Sequence, residues 1–354
     1  MLVFKDKVVV ITGGTGSLGK VLTRRLLATV SNQPRKVIVF SRDEAKQHYM
    51  RLDYQQAGPV TDEVIYRNFE RILEFRIGDV RNYHSVCSVL NGADIVINAA
   101  ALKQVPSCEY FPFEAVQTNI IGAENIVRAI REHKFPIETV VGVSTDKACK
   151  PVNVMGMTKA IQERIFINAN LTIPSTRLLC VRYGNVLASR GSVIPLFHDQ
   201  IKNGGPVTIT TADMTRFLLP LQRAVDTIIA AIETGRPGDT YVPLVPAARI
   251  LDLAKVLIED RDIEIVIKGI RPGEKVHEIL VSDEEAWHTY QRGDYYVIKP
   301  LLPELAAAEP GLTPLSREYS SRDSLMTVEE VKTLLERYRL MIGQGGIQEG
   351  ELLG

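Results

Sequence analysis

The stretch VVVITGGTGSLG, residues 8–19, decides how the rest of the chain is read. A run of apolar, mostly β-branched residues leads without alternation into Thr12. Glycines then follow at the spacing GxxGxxG (Gly13, Gly16, Gly19), and a helical pattern starts at once. Continuous rather than alternating hydrophobicity marks a strand covered on both faces, as in a parallel sheet. The glycines let the chain turn tightly and bring its backbone close to a bound group. A helix beginning near Ser17 adds free amides and the positive end of its dipole, which together favour a pyrophosphate. Gly13, Thr15, Gly16, Ser17, Leu18 and Gly19 are therefore candidate dinucleotide contacts, and Gly19 also permits close packing of helix on strand.

Working outward, similar runs rich in Val and Ile recur at residues 36–40, 75–77, 94–98, 139–143 and 178–182, with helix-patterned stretches between them. Strands alternating with helices predict an α/β fold, a Rossmann-type doubly wound parallel sheet with right-handed crossovers. Beyond residue 185 the pattern loosens, with Gly and Pro clusters at 204–206, 235–238 and 271–273. This predicts a smaller, discontinuous substrate-binding lobe. The expected division is a dinucleotide-binding domain over 1–185 with a return segment at about 220–245, a lobe from 186–219 and 246–300, a helical extension over 301–342, and a flexible tail over 343–354.

Composition narrows the function. In 354 residues, 45% hydrophobic and 24% charged content describes a folded globular chain. Lys plus Arg (42) equals Asp plus Glu (42), so no overall field draws in a nucleic acid or an anionic membrane. Cys87, Cys108, Cys149 and Cys180 form no CxxC pair, which argues against a zinc site or a disulfide framework. No metal site is expected. Met1 runs into a strand pattern without an apolar signal core, so a soluble, cytoplasmic protein is expected.

The strand ends carry the chemistry, because ligands of doubly wound sheets bind beyond the carboxyl ends of the strands. The second strand ends Phe40-Ser41-Arg42-Asp43. Where a carboxylate would hold the ribose of NAD, Arg42 offers a planar fork suited to a 2′-phosphate, with Ser41 and Lys46 as helpers, so NADP is expected over NAD. Read only as structure, Arg42 and Lys46 form a solvated helix start capped by Asp43, and Asp43 could alternatively hold a ribose. Asp79 and Val80 at the third strand end are placed for adenine. Asn98, Ala99 and Ala100 at the fourth let the backbone lie against the cofactor. The fifth strand ends Ser144-Thr145-Asp146-Lys147, and the next helix carries Met155 and Lys159. Asp146 and Lys147 make an acid and a base provided burial raises the carboxyl pKa and lowers that of the ammonium.

TGGTGSLG, SRDEAKQ, GDVR, AALKQVP, VSTDKA, MGMTK, RYGNVLASRGSV, TRF and RPGEKVHE, spread over roughly residues 4–300, together make the chain resemble the extended short-chain dehydrogenase/reductases. Within them it is most similar to the polysaccharide-biosynthesis branch, the UDP-GlcNAc 4,6-dehydratases that invert C5. The resemblance implies oxidation of the sugar at C4 by NADP, elimination of water across C5 and C6, and return of the hydride to C6. It implies Asp146 as acid, Lys147 as base and Lys159 as a ribose ligand. One departure stands out: Met155 occupies the position of the usual tyrosine in YxxxK, and a thioether cannot accept the C4 hydroxyl proton. The MxxxK variant resembles the capsule-precursor subgroup that makes UDP-L-FucNAc. Thr145, Asp146 or Lys147 must then assist oxidation.

On the substrate side the resemblance implies that Lys103 faces the sugar or nicotinamide, that Asn185 contacts a phosphate and that Ser192 and Val193 flank the uracil. Arg216 and Arg271 suit the diphosphate because arginine pairs phosphates bidentately, and Glu274 would hold a ribose or orient Arg271. His198 and His277 read as packing or surface residues. The resemblance also implies a homo-oligomer, dimer or hexamer. Two alternatives are a UDP-sugar 4-epimerase, which needs no elimination, and a non-catalytic NADP-binding protein, motivated by Met155.

Overall fold

The computed structural model describes residues 2–56, 69–187, 192–270, 273–306 and 311–344. The six strands expected from the sequence are present as β1 (Val8–Thr12), β2 (Lys36–Ser41), β3 (Leu73–Ile77), β4 (Ile95–Asn98), β5 (Thr139–Thr145) and β6 (Arg177–Tyr183). They pair in parallel in the order β6-β5-β4-β1-β2-β3. All five residues of β1 are buried. Alternate positions feed two cores: Val9 and Ile11 pack with Leu22 and Leu26 of α1 (Ser17–Ala28), while Val8 and Val10 pack with Val86 and Leu90 of α2 (Tyr83–Leu90) and Ile126 and Ile130 of α3 (Gly122–His133). A strand with apolar partners on both sides has no polar face to show in its sequence, hence the unbroken Val and Ile runs.

After β6 the chain leaves the sheet and comes back twice. Helix α4 (Val154–Ala169) lies between β5 and β6 in sequence, and α5 (Val193–Lys202), β7 (Val207–Ile209) and β8 (Thr215–Phe217) belong to the second lobe. Helix α6 (Leu221–Thr234) then returns to pack beside α1, and β9 (Thr240–Pro243) pairs in parallel with β6. The second lobe resumes with β10 (Ala247–Arg249), α7 (Ile250–Ile258), β11 (Ile265–Ile267) and β12 (Ile279–Val281). Its apolar centre gathers Phe197, Ile201, Leu253 and Leu257 with Val331 and Leu335 of the last helix, α8 (Val328–Arg337).

The structure differs from the sequence reading at one edge. β13 (Thr289–Arg292) and β14 (Tyr295–Ile298), within the stretch assigned to the second lobe, form an antiparallel hairpin that extends the main sheet to nine strands through β14 and β9. Residues 301–342 likewise hold more than helix: β15 (Tyr319–Ser320) pairs with β12. Among the described residues no helix is long and apolar enough to cross a membrane.

Gly19 shows how closely the glycine turn is built. A Cβ there would lie 2.4 Å from the carbonyl oxygen of Gly14, on backbone that cannot swing aside. Gly19→Ala is expected to cost about 1–3 kcal/mol through forced displacement of α1 from the turn, measured by urea unfolding.

Candidate functional site

A cleft of about 1330 Å³ opens at the carboxyl ends of β1, β4, β5 and β6 and is walled on its far side by the second lobe. Gly13, Thr15, Gly16, Ser17, Leu18 and Gly19 line one end. Gly13 sits at φ 64, and its backbone N–H donates to the Phe40 carbonyl at 2.8 Å. Helix α1 has no side-chain cap and no acidic residue in its first turn, so among the described residues no side chain competes for its leading amides. Ser41, Arg42, Lys46, Asp79, Val80, Ala99 and Ala100 continue the wall.

Asp43 is taken up locally. Its carboxylate accepts from the Lys46 backbone N–H at 3.0 Å and from Lys46 Nζ at 2.7 Å, and the bond to Lys46 holds its pKa below the usual value. Asp79 is clasped by the Arg81 guanidinium, with Nε at 2.9 Å and Nη2 at 2.7 Å from one carboxylate oxygen, while Arg42 stands 3.8 Å away with most of its fork exposed. Asn98 does not reach the cleft. It lies opposite Thr12 in the β1–β4 register, accepts from the Thr12 hydroxyl at 2.6 Å, and is buried there as a buckle between two strands. That corrects its sequence assignment as a cofactor contact.

The loop expected to carry the acid and the base follows β5 as a single tight turn, Asp146–Ala148. Asp146 is completely buried behind the wall rather than in it. Its Oδ1 accepts from the Thr145 hydroxyl at 2.7 Å and from Lys147 Nζ at 3.1 Å, whereas Oδ2 has no partner among the described residues. Burial, then repulsion from Glu278, raises the Asp146 pKa against the pull of Lys147. Asp146 therefore meets the cleft through two side chains that do line it, Thr145 and Lys147.

Lys147 departs from the expectation of a lowered pKa. Burial alone would lower it, but attraction from Asp146 and Glu278 together outweighs that, and the ammonium is held charged. Glu278, at the entry to β12, is the group that sequence reading passed over. Its Oε1 lies 3.4 Å from Lys147 Nζ and 3.6 Å from Arg216 Nε, across 131 residues of chain in the first case. The only local signal is a glutamate closing the RPGEKVHE segment, four residues after Glu274.

Met155 is buried, packs with Cys108, Ala115 and Leu102, and lines the cleft at the position of the tyrosine. One turn on, Lys159 Nζ donates to the Val143 carbonyl at 2.5 Å and to Gln162 Oε1 at 2.6 Å, and burial lowers its pKa to about 8. Asn119, in a wide helical turn (Val116–Ile121) before α3, donates to the Leu102 carbonyl and the Thr158 hydroxyl and accepts from the Leu102 N–H. It ties the cleft wall to the helix carrying Met155. Nothing in its sequence context marks it.

On the substrate side Lys103, Asn185, Ser192, Val193, Arg216 and Glu274 all line the cleft. Arg271 lies outside the described residues. The Asn185 side-chain oxygen accepts from Lys147 Nζ at 3.3 Å. The Ser192 hydroxyl is buried without a partner among the described residues. Arg216 donates to the Thr215 and Val276 carbonyls, which fixes its guanidinium at the cleft floor. Glu274 accepts from the Thr210 hydroxyl at 3.4 Å. His198 is buried against the Leu340 carbonyl, and His277 pairs with the Thr215 hydroxyl.

Residues 9–300 match the family described as polysaccharide biosynthesis protein. Over 343 residues the chain is 44% identical to a UDP-glucose 4-epimerase of Rickettsia conorii, covering 94% of this chain and 96% of that protein. Among solved structures, Pen from Bacillus thuringiensis superposes with a TM-score of 0.84 at 34% identity, covering 96% of this chain and 99% of that one. The fold alone is shared with DesIV, a dTDP-glucose 4,6-dehydratase from Streptomyces venezuelae, with a TM-score of 0.62 at 18% identity over 76% of this chain and 86% of that one. With a mostly parallel Rossmann sheet and a glycine turn at its cleft, the chain belongs to the polysaccharide biosynthesis family of extended short-chain dehydrogenase/reductases, enzymes that modify nucleotide sugars.

Proposed function

We propose that the protein is an NADP-dependent UDP-GlcNAc 4,6-dehydratase that inverts C5, supplying a sugar for capsule or O-antigen synthesis in the cytoplasm. The observation that carries this reading is the hydrogen bond from Lys147 Nζ to the wholly buried Asp146 carboxylate. Moving one proton along it turns an ion pair into a neutral acid and a neutral amine, with no change in the protons held. Burial favours the neutral acid, so the pair can present the donor and acceptor that elimination across C5 and C6 requires. Thr145, bonded to the same oxygen, offers a second outlet for that proton and stands in for the tyrosine that Met155 replaces. An epimerase oxidises, turns and reduces one carbon, so it needs no acid for a departing C6 hydroxyl.

The residues fit a dinucleotide. The uncapped start of α1 faces the pyrophosphate position, and Lys159 stands at the ribose position by its place in the MxxxK segment. When bound, NADP supplies a two-electron acceptor that gives the same pair back, so turnover needs no external reductant. The engagement of Asp43 by Lys46 leaves Arg42 as the group open to a 2′-phosphate. Arg42→Ala is expected to weaken NADP by roughly 10–100-fold, about 1.5–3 kcal/mol for charged hydrogen bonds, while leaving NAD within about twofold, as read by fluorescence titration. A homo-oligomer is also inferred, because Tyr110, Phe111, Phe113, Met157 and Ile161 are all exposed on neighbouring helical segments.

The second reading, a UDP-sugar 4-epimerase, is favoured by the name its curated relatives carry. Incubation of UDP-GlcNAc in deuterated water followed by proton NMR separates the two. The dehydratase gives a 6-deoxy-4-keto product with deuterium at C5, and an epimerase gives a C4 epimer with C5 still protonated. A third outcome, NADP binding without any product, would leave the non-catalytic alternative.

A further inference from the structure

We propose that Glu278 is a positioning residue of the acid–base site: its carboxylate, supplied by the second lobe, holds the Lys147 ammonium against Asp146 and so governs whether Lys147 can act on a bound sugar. The inference rests on the acid–base reading of Asp146 and Lys147 given above and extends it to a group on the other side of the cleft.

Glu278 is 3% exposed, lines the cleft, and keeps one carboxylate oxygen, Oε2, buried with no partner among the described residues. A carboxylate buried only for stability would be fully paired, because an unpaired buried oxygen is costly. Its backbone is fixed on both sides. The Glu278 N–H donates to the Ser321 hydroxyl at 3.0 Å, and the Ser321 N–H donates to the Glu278 carbonyl at 2.8 Å. Two residues on, the Leu280 carbonyl accepts from Arg182 of β6 at 3.0 Å, tying β12 to the strand next to the acid–base loop. The second lobe thus aims Glu278 at Lys147 through main-chain contacts that leave the carboxylate little freedom.

The charges around Lys147 come from several elements. Asp146 lies on its own turn. Glu278 and Lys275 come from the segment entering β12, and Arg216 from β8. Burial works against ionised Glu278, but Lys147, Arg216 and Lys275 outweigh it and keep the carboxylate charged. Two anions then face one ammonium, and the second keeps the proton on Lys147. Arg216 shares Glu278 with Lys147, so an anionic group drawn to Arg216 alters how much of the Glu278 charge Lys147 receives.

Trace acetylation of the full-length protein with acetic anhydride, quantified at Lys147 by mass spectrometry across pH, reads the free-amine fraction directly and needs no turnover. In Glu278→Gln the labelling midpoint is expected to fall by about one pH unit, so Lys147 is acetylated about tenfold faster at a fixed pH below it. Asp146 remains in both proteins, so the comparison isolates the second carboxylate. The limb of kcat/KM that rises with pH, followed by deuterium entry at C5, is expected to move the same way. An unmoved labelling midpoint in folded Glu278→Gln overturns the proposal. Should that variant not fold, Glu278→Asp, which withdraws the charge by one methylene, decides instead: a midpoint displaced downward supports the proposal, and one coinciding with the parent's overturns it. A shifted midpoint in a protein that converts no UDP-sugar leaves the role of Glu278 in place and removes the dehydratase reading.

Discussion

Asp146→Asn is expected to lower UDP-GlcNAc dehydration by roughly 10²–10⁴-fold, the span of general acid–base contributions, while the protein stays folded and binds NADP as before. Asparagine fills the same space but carries no exchangeable carboxyl proton, so no acid is left for the departing oxygen. Stability is expected to hold or rise slightly, because the variant replaces a buried, half-unpaired carboxylate with a neutral amide. The assay is proton NMR of UDP-GlcNAc turnover beside thermal unfolding. Dehydration persisting near the parent rate in the folded variant would remove Asp146 from the chemistry, and C4 epimerisation surviving intact would identify the epimerase.

The second large effect concerns stability. Arg182 is 3% exposed in its side chain and joins the buried Glu163 to the half-buried Glu285: Nη2 donates to Glu163 at 2.6 Å, and Nη1 and Nη2 donate to Glu285 at 2.7 and 2.8 Å. Glu163 also accepts from Ser144, the residue two before Asp146. Arg182→Met keeps much of the volume but strands both carboxylates, and is expected to cost about 3–5 kcal/mol, the range for breaking a buried pair from one side. The pH dependence carries a further mark. Burial would raise the Glu285 pKa, but Arg182 outweighs it and holds it below the ordinary 4.5. In the parent the stabilisation is therefore present above about pH 4.5 and lost as pH falls through the depressed value. In Arg182→Met only the Ser282 N–H and the charge of Arg164 still oppose burial, so the variant's deficit relative to the parent should shrink on acidification. Urea midpoints at neutral and mildly acidic pH make the comparison.

The parallel half of the sheet was legible because burial on both faces writes itself as unbroken apolar runs: β1, β2, β4, β5 and β6 each lie within a residue or two of the run that predicts them. β3 is longer than its predicted run, reaching back to Leu73 through the charged Glu74, which pairs with Lys36 on the neighbouring strand. The β13–β14 hairpin was not legible. Its residues, TYQR and YYVI around Gly293 and Asp294, mix polar and aromatic groups as an antiparallel edge does, and the loosened pattern after residue 185 hid its return to the main sheet.

Within the site, residues on one short loop could be grouped from sequence, as Thr145, Asp146 and Lys147 were. Their chemistry could not, because the charge state of Lys147 depends on Glu278, whose approach is a property of the folded cleft. Asn98 shows the opposite case, in which strand position suggested access while register turned the side chain to Thr12.

The separation of 131 positions from Lys147 to Glu278 also sets a timetable for biosynthesis. At roughly 5–20 residues per second of chain elongation, the nucleotide-cradling turn and the acid–base loop leave the ribosome on the order of ten seconds before Glu278 and the Glu285 partner of Arg182. A nascent chain in that interval can close its first six strands, yet it carries in its centre a guanidinium with Glu163 but not Glu285 to balance it, and an unfinished reaction chamber. Competence for chemistry and relief of that buried charge arrive together, with the last third of the message.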